Sequence, residues 1–415
     1  MACDSRSGKS STAAVSRRSA LMPATAPIVG IDLGTTYTAI GVMTDAGPVV
    51  IPAADGSRAL PSVVSFPRKA PPVVGAEARA RLATDPTRTI ASPKRLLGRR
   101  VADREVQSFV GAAPYRTEAG DDGAPILDVD GERYAMAQVC GLILGEARAI
   151  AERHLGRPVE RAVLTMPVSF DAGRARALET AARLAGLEPV ALIAEPNAAA
   201  LAYRNQPGFG GLMGIYDFGG GTFDFSVVDV GSARFAVIAS AGDAWLGGDD
   251  IDAVLADAAA NQFWRQHRVD LRKQAVEWQR LRFAAEEAKR ALSTVESTQL
   301  VAPEVLRTAA GMVDLRLTLD RPTLARAGAA IIRRTLDVCE QALGRAGVRP
   351  GGLQAIALCG GSSQMPAVRA AVARHFSAPL LMSPRDDQAV CLGAAIHAGL
   401  LEQRRSSPVA VQRPA

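Results

Sequence analysis

Gly214 to Val230 reads GIYDFGGGTFDFSVVDV: an apolar strand ends at Asp217, the chain turns through Gly219, Gly220 and Gly221, and Thr222 opens a second apolar strand. Three successive glycines clear side chains from a hairpin turn. Peptide N–H groups can then close on an anion, and φ > 0 is allowed wherever the turn needs it. A carboxylate beside such a turn repels a bare phosphate, but it becomes useful when a divalent cation lies between them. Asp217 therefore points to Mg²⁺. Taken alone, the stretch reads equally well as a tight hairpin carrying a surface aspartate.

The pattern occurs twice. Residues 28–43 read IVGIDLGTTYTAIGVM, again a strand ending in an aspartate, Asp32, followed by a turn through Gly34, Thr35 and Thr36 into Tyr37 and a second strand. Downstream of each hairpin the same succession follows. Residues 162–203 run strand, Pro167, helix, Gly186, strand, helix, and residues 355–400 run strand, Gly360-Gly361 turn, helix, strand, helix. A duplication on this scale predicts two related α/β lobes, with Asp32 and Asp217 facing each other across the cleft between them.

Five segments carry a family resemblance: IDLGTT (31–36), AEPNAAALAY (194–203), DFGGGTFD (217–224), EEAKRALS (286–293) and LCGGSSQMP (358–366). They are similar to the nucleotide-contacting segments of the actin-like ATPases, and most of all to the ATPase domain of the DnaK-type heat-shock chaperones. PKRLLGRR (93–100) and GDAWLGGDDID (242–252) extend the resemblance, which covers roughly 28–400 in order. It implies an α/β, two-lobed, duplicated ribonuclease H-like fold with ATP or ADP and Mg²⁺ between the lobes. Lobe I is expected over 28–211 plus 384–400, with an accessory subdomain at about 48–138. Lobe II is expected over 212–383, with a mostly helical accessory subdomain at about 247–321 that begins at Gly247 and Gly248.

Composition fits that expectation. The chain has 415 residues, 48% of them hydrophobic, enough for two buried cores. No apolar run is long enough to span a membrane. Cys3, Cys140, Cys339, Cys359 and Cys391 lie far apart with no metal spacing, so reduced thiols and a cytoplasmic setting are expected. The formal charge is +6, but residues 1–27 carry +3 of it and 401–415 carry +2, leaving a nearly neutral body. A nucleic-acid partner is therefore not expected. Both end segments are rich in Arg, Ser, Ala or Pro without periodicity, and read as disordered tails.

Several residues take a role only from the resemblance. Lys94 in PKRLLGRR would otherwise be one solvated cation among four; the family gives it the attacking water and charge on the γ-phosphate. Glu195, between an apolar strand and Pro196, reads as a helix-start carboxylate or as one opening into the interlobe crevice. The family sets it near the nucleophilic water. Asp224 and Thr222 join this catalytic group. Glu286, Lys289, Arg290 and Ser293 share one helix face, where spacing alone suggests a salt-bridged surface. The resemblance makes it the adenosine face, with Gly360, Gly361, Ser362 and Gln364 opposite. Trp245, Trp264 and Trp278 show no stacking pattern and read as packing residues.

Departures from the family pattern bear on partners. Ala175 and Ala191 stand where the family has arginines that serve linker communication and J-domain docking, which argues against a J-domain cochaperone. Asn197 replaces a threonine, Gln364 an arginine, and SPRDDQ (383–388) carries two extra residues. No peptide-binding domain is expected after about residue 400. The expected activity is a slow ATP hydrolase whose lobes close on ATP and relax on ADP, acting on an unidentified protein partner. A nucleotide-gated switch with little hydrolysis and a small-molecule kinase of the same superfamily stay open as alternatives.

Overall fold

A computed structural model describes residues 26–231, 235–309, 311–383 and 385–406. Both glycine-bearing stretches form antiparallel hairpins. Ile28–Leu33 pairs with Tyr37–Thr44, and Leu212–Phe218 pairs with Phe223–Asp229, where Phe218 opposes Phe223 across the turn. Gly219 N donates to Thr222 O at 3.0 Å to close that turn.

Each hairpin seeds a mixed sheet of the same topology. In the first sheet, Gly47–Val50, Tyr37–Thr44 and Ile28–Leu33 form an antiparallel meander. Arg161–Met166 and Glu188–Ala194 then add in parallel to the far edge. In the second, Ala236–Asp243, Phe223–Asp229 and Leu212–Phe218 form the meander, and Ala355–Cys359 and Leu380–Leu381 add in parallel. Identical strand order around two hairpins is what a duplicated chain produces, and it gives the expected two-lobed α/β fold. The parallel additions need crossover helices, supplied by Ala172–Leu184 in one lobe and Pro366–Phe376 in the other.

Each sheet buries its own apolar cluster. Val29, Ile31, Leu33, Val139, Ile143 and Leu164 lie in one; Tyr216, Phe218, Phe223, Phe225, Phe263 and Leu281 lie in the other. A third cluster joins residues of both sheets, among them Val163 and Ile193 with Met213, Ile215 and Ala355. It also takes in Ala198 and Tyr203 of the helix Glu195–Tyr203, and Ala394 and Ala398 of the helix Ala389–Ser406. That last helix lies against the helix Glu195–Tyr203 so closely that a Cβ on Gly393 would strike the carbonyl of Ala198.

Two expectations need correction, and the glycine turn has a reason of its own. None of Gly219, Gly220 and Gly221 adopts a positive φ. Their use is close approach: a Cβ on Gly220 would meet Thr36 Oγ1 at 2.5 Å, and one on Gly221 would strike the Arg95 guanidinium. The region after Gly247 is not mostly helical to its end. Helices Gly248–His267 and Ala275–Leu292 lead into a long antiparallel hairpin, Ser297–Thr308 with Gly311–Asp320, whose strands alternate buried and exposed residues. Leu300, Ala302 and Leu315 point inward with period two, a pattern the polar residues between them hide in the sequence. Finally, the expected tail from 401 is helical through Ser406, because Glu402 Oε1 accepts from Ile28 N at 2.6 Å and Leu401 packs into the shared cluster. The remaining tail residues, 1–25 and 407–415, lie outside the described residues.

Candidate active site

Between the hairpins lies a cavity of ≈ 630 Å³. Strand geometry sets its floor. Asp32 and Asp217 each stand one residue before the end of the central strand of their sheets, so both carboxylates face the cavity. Thr165 Oγ1 donates to Asp32 at 2.7 Å and orients it. Glu195 is the first residue of its helix and Lys94 sits in the 3₁₀ turn Pro93–Arg95; Lys94 Nζ donates to Glu195 Oε1 at 2.8 Å. Residues 101 apart in sequence thus meet at the cavity floor. Asp224 lies opposite Asp217 in the register of the second hairpin.

The electrostatics of this floor are unbalanced. Burial, with the Glu195 charge second, pushes the Asp32 carboxyl up to about 6. Burial and then Glu195 push Asp224 up to about 8. Asp217 is raised well above the carboxylate range by burial, then by Glu195, Asp224 and Asp32. Lys94 is raised: the Glu195 and Asp32 charges outweigh its large burial penalty. Four carboxylates therefore crowd one ammonium, itself paired to one of them, with the charge of Arg174 acting on Asp224 as well. A divalent cation would compensate such a set, and all-oxygen donors suit a hard ion such as Mg²⁺. Among the described residues, no three His, Cys, Asp or Glu side chains converge into a direct metal cage. Asp32 and Asp217 would thus hold an ion through its water shell, as Mg²⁺ prefers.

The roof is made of turns. Gly34, Thr35, Thr36 and Tyr37 line the cavity from the first hairpin, and Gly219, Gly220 and Thr222 from the second. Thr36 Oγ1 is buried with no hydrogen-bond partner, a hydroxyl placed for a ligand oxygen. Gly221, Gly247 and Gly248 stand behind this lining. Gly248 N donates to Gly219 O at 3.1 Å and Asp249 N to Gly220 O at 2.7 Å, so the amino end of Gly248–His267 abuts the hairpin. A Cβ on Gly247 would strike the Gly220 carbonyl, and one on Gly248 would strike Ser362 Oγ. Both glycines are needed for that approach.

At the outer end, the helix Ala275–Leu292 presents Glu286, Lys289 and Arg290, with Ser293 at its C-cap. Glu286 accepts from Tyr37 Oη at 2.7 Å and pairs with Arg79 of the other lobe. Lys289 lines the cavity but is engaged elsewhere, donating to Asp252 Oδ2 at 2.6 Å and Gly248 O at 2.9 Å. Gly360 adopts φ 78°, and a Cβ there would strike Phe218 O, while Gly361 faces open space. Ser362 Oγ donates to Gly219 O at 2.8 Å. Gln364 hydrogen-bonds to Asp387 on the cavity wall.

Three contributors escaped the sequence reading. Arg79, in the short helix Ala76–Arg81, closes over Glu286 and lies 4.5 Å from the Phe283 ring. Arg95 donates to Gly221 O at 2.5 Å and to Ala244 O, tying the first lobe to the second. Trp245 is not simple packing: its ring lies 4.6 Å from the Arg95 guanidinium, 5.1 Å from Phe109, and lines the cavity. Only Arg95 had a neighbour, Lys94, that could have drawn attention to it.

No helix among the described residues is long and apolar enough to cross a membrane. The family model for the Hsp70 protein matches residues 28–412, nearly the whole chain, and spans both hairpins and every wall of this cavity. The chain belongs to the Hsp70 family of ATP-binding, ATP-hydrolysing chaperone proteins.

Proposed function

We propose that this chain binds Mg·ATP between its lobes and hydrolyses it slowly, using the nucleotide to set how far the lobes close. The observation that carries this reading is the buried set Asp32, Asp217, Asp224 and Glu195 around Lys94, roofed by two side-chain-poor turns. Asp32 and Asp217 would hold Mg²⁺ through waters, and the ion would supply positive charge to the β- and γ-phosphate oxygens.

The Thr35–Thr36 and Gly219–Thr222 turns donate N–H and hydroxyl groups to the phosphate oxygens. Lys94 neutralises charge that develops on the γ-phosphoryl group, and Glu195 with Asp224 orients the attacking water. The water oxygen bonds to the γ-phosphorus as the bond to ADP breaks, giving orthophosphate without a covalent protein intermediate. Glu286 and Lys289 serve the ribose, Arg290 and Ser293 the base, and Gly360, Gly361, Ser362 and Gln364 its other face.

The lobes proposed are 28–211 with 384–400, and 212–383. Contacts that cross the cleft, Arg79 with Glu286 and Arg95 with Gly221 O, support closure as the output, read by a protein partner in a cytoplasmic setting. Asp217→Asn tests the reading. Hydrolysis should fall at least tenfold further than ADP affinity, since the turns stay intact. Turnover equal to that of the unmutated chain would refute the two-aspartate arrangement.

A further inference from the structure

The floor of the cavity does not end at Lys94 and Glu195. Phe170 follows, its ring 5.7 Å from Lys94 Nζ, and Arg174 lies across the same ring at 3.9 Å. Arg174, on the helix Ala172–Leu184, is only 8% exposed, and its Nε donates to Leu97 O at 3.2 Å. Arg99 lies beside it; burial and then the Arg99 charge push the Arg174 guanidinium down to about 10. Both arginines line the cavity.

Among the described residues, no carboxylate is in direct contact with either guanidinium. Neither Arg99 nor Arg174 forms an ion pair with a carboxylate among the described residues. Asp171 caps its own helix through Arg174 N at 2.8 Å and Glu195 is engaged by Lys94, so Asp171, Glu195 and Asp224 act on Arg174 through space and without an ion pair. Asp243 lines the cavity too but pairs with Arg334, and Glu105 is exposed at the rim. Two further donors on the same cavity, Arg99 Nε and Trp245 Nε1, are buried without any hydrogen-bond partner. A half-buried pair of like charges with spare donors is costly unless an oxyanion joins it, and a guanidinium fork fits a phosphate.

We propose that this inner end is an exit site for the orthophosphate released by hydrolysis, held by Arg174 and Arg99. It rests on the nucleotide reading above. Orthophosphate then passes from the reacting position to Arg174 and Arg99, while ADP stays behind the Arg79–Glu286 contact.

Equilibrium dialysis of labelled inorganic phosphate against the full chain saturated with Mg·ADP tests this. The unmutated chain should bind phosphate. Arg174→Gln and Arg99→Gln should each weaken it about tenfold or more, as expected for one lost charge-assisted hydrogen bond, with ADP affinity within about twofold. Arg174 is buried against Phe170, so a melting curve checks its variant. If that variant does not fold, Arg99→Gln, at a half-buried position, decides alone. Phosphate binding that survives both substitutions but vanishes in Lys94→Ala would place the anion at the reacting position only and overturn the proposal. So would an ADP-loaded chain that binds no phosphate. A chain that takes up no ADP would overturn the nucleotide reading itself, and this site with it.

Discussion

Arg79→Ala should release the nucleotide faster without touching the chemistry. Arg79 reaches from the first lobe to Glu286 on the second, with side-chain exposures of 25% and 16%, and lies 4.5 Å from Phe283. A partly screened ion pair contributes about 1 kcal/mol. A cation over an aromatic ring at a half-exposed site adds about 0.5–1 kcal/mol. Together they make about 1.5–2 kcal/mol, or roughly 10- to 30-fold in a dissociation rate. Glu286 keeps Tyr37 at 2.7 Å and Arg290 at 3.8 Å, so its ribose contact should persist. The loss should therefore appear in opening of the cleft. Stopped-flow displacement of a fluorescent ADP measures the off-rate directly, and single-turnover hydrolysis serves as the control. An off-rate changed less than twofold would refute the idea that this pair holds the cleft shut. A parallel drop in hydrolysis would show that Arg79 also shapes the floor.

Two further outcomes follow from named contacts. Gln364→Arg should tighten ADP about 5- to 30-fold, because a guanidinium stacks on a base where an amide only hydrogen-bonds to Asp387; calorimetry with ADP reads the difference, and unchanged affinity would mean position 364 does not face the base. The nucleotide-free chain should lose stability as pH rises. The folded Asp224 carboxyl is raised to about 8 from the ordinary 3.8, so its contribution is fully present below about 4 and is lost as pH climbs through about 8. Melting curves from pH 5 to 9 should slope downward, and Asp224→Asn should flatten the slope; an identical slope in the variant would assign it to other groups.

How much of this was legible depended on sequence distance. The two hairpins declare themselves, because an aspartate at a strand end followed by a Gly/Thr turn is local and repeated. The duplicated strand order follows from them. The helix face of Glu286, Arg290 and Ser293 is also local, although its role needed the family resemblance. Arg79, 207 residues from Glu286, has no local mark and reads as a solvated charge on a short helix. Arg174 reads the same way until Phe170 and Leu97 are seen to enclose it. The triple glycine was legible as a turn, but its reason was not. Contact with Thr36 and Arg95 across the cleft, and not a left-handed backbone, is what excludes side chains there. The hairpin at 297–320 was hidden by polar residues on its exposed face.

The central claim is that Lys94 acts on the reacting phosphoryl group inside a nucleotide-binding cleft, and Lys94→Ala addresses it most directly. Lys94 is buried and paired with Glu195 at 2.8 Å. A group that acts mainly in the transition state lowers turnover far more than affinity when removed. Calorimetry and single-turnover hydrolysis of Mg·ATP, run on both chains, should give affinities within about fivefold and rates at least about 100-fold apart. Equal losses in affinity and rate would make Lys94 a simple phosphate anchor, and a chain that binds no ATP would contradict the account as a whole.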